Sequence, residues 1–333
     1  MSTEPEDPKL PWKHYYDVMN DGLKYIYARA TGSQKSLKTQ WSQFNTIGLN
    51  GIEWNSLYVF GARPGVGKTL VAASLTRELQ KLNPDQDFAV LHFQFEMLGR
   101  NMAMRELSAA NNMNIRYLQS AKDDGMPELT KTDFERLKAY TADQKGRQEY
   151  VIDKSLSVNE MASAMFHFYR TYQKPFVVTL DHTLLVKQGA SEKSKQETLQ
   201  NLAVMCAEVK NKLPVVFLIL TQLNREIDDA ERQKPGQLSN FPTEKDVYGS
   251  DSLLQCADVM IAYNRPAKYN LQYYGPQQFV ITPGDKYLLA MHVLKNRYGE
   301  VGIQWYRAEY SLMTIVEARA PTCRLITKKA SIL

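Results

Sequence analysis

"GARPGVGKTL", residues 61–70, follows the apolar run Leu57–Phe60 and opens a stretch with helical spacing. A strand that runs into a glycine-rich turn and then a helix directs backbone N–H groups and a helix N-terminus at one point, which is what a phosphate requires. Ala62, Arg63, Pro64, Gly65, Val66, Gly67, Lys68 and Thr69 match the GxxxxGK[ST] loop except that Ala62 stands where the first glycine belongs, and Leu70 continues into the helix. Lys68 is expected to reach the β- and γ-phosphates of ATP, and the Thr69 hydroxyl to ligate Mg2+.

Outward from this loop, apolar strand-like runs alternate with helical ones. LYVFGA precedes helical residues 69–82, FAVLHFQF precedes 97–110, and FVVTLD precedes 197–212; VVFLILT and DVMIAY follow. Continuous apolar strands separated by helices indicate a mostly parallel central sheet flanked by helices, an α/β P-loop NTPase fold. LLAMHVL, VGIQWYR and SLMTIV then come close together, as antiparallel strands at the C-terminal end of the sheet. Residues 114–160 read as an inserted polar arm with helical patches. Residues 1–10 read as a tail, and the apolar positions Trp12, Tyr15, Tyr16, Met19, Leu23, Ile26 and Tyr27 repeat at helical spacing.

A phosphate loop needs a carboxylate on the magnesium side at the end of a neighbouring strand, and FVVTLD supplies Asp181. Glu96 ends FAVLHFQFE. Alone it reads as a helix-start charge favoured by the dipole; beside a phosphate loop it reads as the group that activates water. Gln222 ends VVFLILTQ and reads either as a γ-phosphate sensor or as a strand-end cap. His182 and the other four histidines have no metal-ligand spacing.

Composition sets broad bounds. The 333 residues are 44% hydrophobic and 23% charged, an ordinary globular balance. No apolar run is long enough to span a bilayer, and the polar, acidic N-terminus is unlike a secretory signal, so the expected location is cytoplasmic. Three scattered cysteines fit buried thiols better than disulfides or zinc. A net charge of +5 permits a polyanion partner without requiring one.

Six segments in order resemble the RecA-like motor domain of DnaB-type replicative helicases: ARPGVGKT, FQFEMLGRNMAMREL, VVTLDHTLLV, LTQLNRE, SDSLLQCADVMIAYNR and HVLKNRYGEVG. The resemblance implies that Lys68 and Thr69 hold nucleotide and magnesium, that Glu96 is the catalytic glutamate, and that Asp181 supports metal and water. It implies that Gln222, with Arg225, couples the γ-phosphate to nucleic-acid loops. It also implies that Lys295 and Arg297 of KNR enter the neighbouring subunit's nucleotide site, in a ring normally of six chains. The loop 187–200 carries Lys187, Lys193 and Lys195 and is a candidate for contacts with single-stranded DNA. The expected organisation is a tail and linker helix (1–35) for subunit docking, a motor domain (36–320) and a C-terminal tail (321–333). Single-stranded and forked duplex DNA, a primase and a helicase loader are the implied partners. His182 replaces the family's tyrosine, with an effect expected on packing rather than chemistry. Two rivals share the same phosphate loop: a RecA-type recombinase or other single-strand-binding ATPase that does not unwind processively, and a P-loop kinase. The kinase would need arginines in cis on a lid.

Overall fold

Every residue of Leu57–Ala62 is buried, as a strand covered on both faces must be. Its side chains alternate. Leu57 and Val59 enter one core with Leu199, Leu202 and Cys206, whereas Tyr58 and Phe60 enter another with Val71 and Leu75. Each such side chain contributes roughly 1.5–3 kcal/mol on leaving water.

The computed structural model describes residues 12–122, 124–190, 192–234, 237, 239–247 and 250–324. The chain divides into two units, residues 1–36 and 37–333. The expected tail 1–10 and most of the expected tail 321–333 lie outside the described residues. The first unit carries α1 (Tyr15–Ala30), started by the His14 side chain accepting from the Tyr16 amide; none of the helix's residues is buried.

The second unit comprises α2 (Ser42–Asn45), β1 (Leu57–Ala62), α3 (Lys68–Arg77), α4 (Leu79–Leu82), β2 (Ala89–Gln94), α5 (Gly99–Asn111), α6 (Ile115–Gln119), α7 (Lys131–Asp143), β3 (Glu149–Ile152), α8 (Val158–Tyr172) and β4 (Phe176–Asp181). It continues with α9 (Lys195–Lys212), β5 (Val215–Gln222), α10 (Ser250–Cys256), β6 (Val259–Asn264), β7 (Tyr273–Tyr274), β8 (Phe279–Val280), β9 (Leu288–Asn296), β10 (Gly302–Glu309) and β11 (Thr314–Glu317). One nine-stranded sheet runs β11-β10-β9-β6-β1-β5-β4-β2-β3. The six strands from β6 to β3 pair in parallel, and β9, β10 and β11 add on antiparallel, the mixed sheet expected from the sequence.

The expected arm at 114–160 is corrected by the structure. Its first part forms α6 and α7, but Glu149–Ile152 pairs in parallel with β2 as the sheet's edge, and α8 carries the chain back to β4. Four residues with none fully buried leave no apolar run in the sequence to mark such a strand. A satellite core of Tyr274, Phe279, Leu288 and Trp305 closes the antiparallel end.

Candidate active site

Parallel strands deliver their C-terminal ends, and the side chains there, to one edge of the sheet. β1 ends in the loop 62–67, β2 runs into Glu96, β4 ends in Asp181 and β5 in Gln222. Ala62 and Gln222 are direct register partners, as are Gln94 and Asp181.

The loop bends where its glycines allow. Gly65 has φ +76° and Gly67 φ +108°, backbone that a side chain resists. Ala62 is absent from the positive-φ residues, so alanine is tolerated in place of the first glycine. Ala62 and Val66 are buried in the core and present only backbone to a ligand, while Arg63, Pro64, Gly65, Gly67, Lys68, Thr69 and Leu70 line a cleft of about 270 Å³ together with Glu96 and Gln222. Burial holds the Lys68 ammonium below the ordinary lysine range, although Asp181 and Glu96 pull the other way. A phosphate in the cleft would supply charge that offsets this penalty.

Thr69 donates its hydroxyl proton to Asp181 Oδ2 at 2.6 Å. Asp181 is 3% exposed, and burial raises its carboxyl to about 6 against the pull of the Thr69 hydrogen bond. A hydroxyl and one carboxylate are hard oxygen donors that fit magnesium, an ion that completes its octahedron with water and phosphate oxygens. Glu96 is half exposed, and its Oε2 lies 3.8 Å from His182 Nε2. Burial, then the Lys68 charge, holds His182 below the ordinary histidine range, so the imidazole beside Glu96 is neutral at physiological pH. His182, expected from the sequence to affect packing, is buried with its Nε2 facing this carboxylate.

Several participants carried no sequence signal. Tyr310 donates its hydroxyl to the Val66 carbonyl at 2.7 Å, and the Arg265 guanidinium stacks 4.7 Å from its ring centroid while contacting the Gly65 carbonyl at 3.4 Å. A Cβ at Gly67 would come 3.1 Å from the Tyr310 ring, so glycine there serves packing as well as φ. The Arg63 guanidinium is held by protein groups: Nε donates to Asp228 Oδ2 at 2.6 Å and a terminal nitrogen donates to the Leu223 carbonyl. It ties the loop to the segment that carries Arg225, whose side chain is exposed. Tyr310 and Arg265 come from distant turns, so no local spacing could reveal them.

Lys295 and Arg297 lie elsewhere. Lys295 donates to the carbonyls of Leu254 and Gln255, and Arg297 pairs with Asp258 Oδ1 at 2.9 Å, just before β6 begins. That is the opposite edge of the sheet from the phosphate loop, one six-residue strand or roughly 17 Å away. The loop expected over 187–200 ends at Ser194, the cap of α9; Lys187 and Lys193 are exposed in it, whereas Lys195 is the first residue of α9 and its partly buried ammonium donates to the Val186 carbonyl. Among the described residues no cluster of three His, Cys, Asp or Glu could hold a metal, and no helix is long and apolar enough to cross a membrane.

A family model for the DnaB-like helicase C terminal domain matches residues 36–313. The chain belongs to this family. It is 24% identical over 226 residues to the replicative DNA helicase DnaB of Helicobacter pylori, covering 67% of this chain and 43% of that protein. It is 23% identical over 284 residues to DnaB of Geobacillus stearothermophilus, covering 85% and 56%. The chain thus spans about half the length of the curated relatives it matches. A solved ATPase domain superposes with TM-score 0.73 at 19% identity, over 90% of this chain and 99% of that one. A solved DnaB-like replicative helicase, described with its interactions with primase, gives the same score and identity over 90% and 68%. These two likenesses establish the fold, the RecA-like arrangement expected from the sequence.

Proposed function

We propose that this chain is the ATP-driven motor of a replicative DNA helicase that works as a ring, a hexamer, on single-stranded DNA. The observation that carries the reading is a site split in two. Lys68, Thr69, Asp181, Glu96 and Gln222 gather at one edge of the sheet, while Lys295 and Arg297 sit at the other, out of reach of their own nucleotide cleft.

In this reading Lys68 and the loop amides hold the ATP phosphates, and Tyr310, with Arg265 stacked on its ring, walls the cleft. Thr69 and Asp181 hold magnesium, which neutralises phosphate charge. Glu96 takes the proton of the attacking water, and neutral His182 beside it leaves that carboxylate free to accept. Arg297 and Lys295 of the next subunit meet the γ-phosphate, making turnover depend on the neighbour. Gln222 and Arg225 report the γ-phosphate to the loops carrying Lys187 and Lys193, which grip the DNA backbone; Lys195 fixes the base of its loop. Residues 1–35 dock on an adjacent motor domain (36–320) through the exposed face bearing Leu23 and Ile26, and a primase or loader joins the ring.

The test is ATP hydrolysis with and without single-stranded DNA, alongside strand separation of a forked duplex, on one preparation. Stimulated hydrolysis with separation supports the helicase. Stimulated hydrolysis without separation supports a single-strand-binding ATPase instead, and a phosphorylated product would identify a kinase.

A further inference from the structure

Behind the Thr69–Asp181 pair lies a second, smaller cavity of about 30 Å³, lined by Thr69, Gln94, Arg105, Thr179 and Asp181 among others. Arg105 also lines the nucleotide cleft, so it stands in the wall between the two spaces. Gln94 is 6% exposed and Asp181 3% exposed, and their strands are in direct register, which sets both side chains at one level of the sheet. Each presents a buried oxygen without a hydrogen-bond partner among the described residues: Gln94 Oε1 and Asp181 Oδ1. Thr179 contributes a third oxygen, and the other partner of its hydroxyl is fixed, because His92 Nδ1 lies 2.7 Å from it while His92 Nε2 faces Glu149.

Two buried acceptors side by side cannot satisfy each other, and a buried acceptor left bare loses the hydrogen bond it made to water in the unfolded chain. What fits between them must donate twice. A cavity of at least about 10–15 Å³ admits a water, given two or more polar partners. We infer that this cavity holds one or two ordered waters that donate to Gln94 Oε1 and Asp181 Oδ1, making Gln94 a positioning residue for the metal-side carboxylate. Thr69 fixes one oxygen of Asp181 and the Gln94 water fixes the other, so the carboxylate cannot rotate. The inference rests on the ATPase reading for its consequence but not for its existence.

Two measurements test it. In a high-resolution crystal structure of the unaltered chain, density for water bridging Gln94 and Asp181 is expected; a dry cavity, or a direct Gln94–Asp181 hydrogen bond with no water, overturns the inference without reference to turnover. In Gln94→Leu, the magnesium concentration for half-maximal hydrolysis should rise about tenfold, the usual effect of removing a group that orients a metal ligand. The ATP KM at saturating magnesium should move less than about twofold. Gln94→Asn keeps the amide and leaves room for a further water, and should recover to within about threefold of the unaltered chain. A leucine variant whose magnesium curve superimposes on the original, or whose kcat falls with that curve unmoved, refutes the positioning role. Magnesium-dependent hydrolysis by the unaltered chain tests the ATPase reading separately. Should the leucine variant not fold, the crystal structure still decides.

Discussion

Replacing Asp181 by asparagine should make the metal-free protein more stable and at the same time inactive. Burial raises the Asp181 carboxyl from 3.8 to about 6 despite the Thr69 hydrogen bond. A raised carboxyl means that the folded state binds its proton more tightly than the unfolded chain does. The group therefore costs nothing at low pH, and its penalty develops as pH rises through the interval between the two values. Two pKa units correspond to about 3 kcal/mol, reached in full above about pH 7 and mostly absent near pH 4. An asparagine side chain would keep an oxygen to accept from Thr69 and carry no charge to desolvate, so Asp181→Asn should recover up to that amount at neutral pH. For a chain of this size that is a melting shift of roughly 5 °C. The assay is thermal unfolding of both proteins in chelator, without nucleotide, from about pH 5 to about pH 8. A gain that grows with pH supports the argument. A gain independent of pH, or a loss of stability at neutral pH, would refute the claim that the carboxylate is strained by burial.

Three other outcomes follow from the site. Lys68→Ala should abolish ATP binding in a fluorescent-nucleotide titration, because the cleft then has no buried cation to meet the phosphates. Glu96→Gln should bind ATP with nearly unchanged affinity but hydrolyse it about 10²–10⁴-fold more slowly in a single-turnover assay; normal turnover would remove Glu96 from the chemistry. Arg297→Ala should lower kcat by about 10³-fold and, mixed with the unaltered chain, depress hydrolysis more than in proportion to its share. Strictly proportional dilution would show that Arg297 does not act across subunits.

How much of this was legible depended on whether the information was local. The phosphate loop is eight consecutive residues whose spacing is its chemistry, and β1, β4 and β5 are apolar runs that burial on both faces demands. Asp181, Glu96 and Gln222 were readable because strand ends of a parallel sheet converge whatever the connections between them. β3 was not, since an edge strand with a half-exposed face has no need of an apolar run. Arg265 and Tyr310 meet only because β6 and β10 end at the same side of the sheet, and Gln94 gains meaning only from its register with Asp181. Arg63 sits inside the motif yet pairs with Asp228, a partner 165 positions along the chain that no pattern announces.

The resting place of Arg297 bears on how a split site could be switched. Asp258 is buried and already held by the Lys210 ammonium and the Leu57 amide, so it remains neutralised when Arg297 leaves. The Arg297 side chain is 53% exposed, so water screens its half of the pair and hydrates the guanidinium when it leaves. A guanidinium stabilising a transferring phosphoryl group is worth about 10³-fold or greater in rate. Asp258 and the Gln255 carbonyl therefore hold the guanidinium in a defined position without trapping it. Had Arg297 been the sole partner of a fully buried Asp258, its release would leave an unpaired interior charge at a cost of several kcal/mol, and each turnover would have to overcome that cost. The presence of Lys210 removes it. In the proposed ring, an Arg297 that moved to a neighbour's nucleotide would leave Asp258 still paired with Lys210.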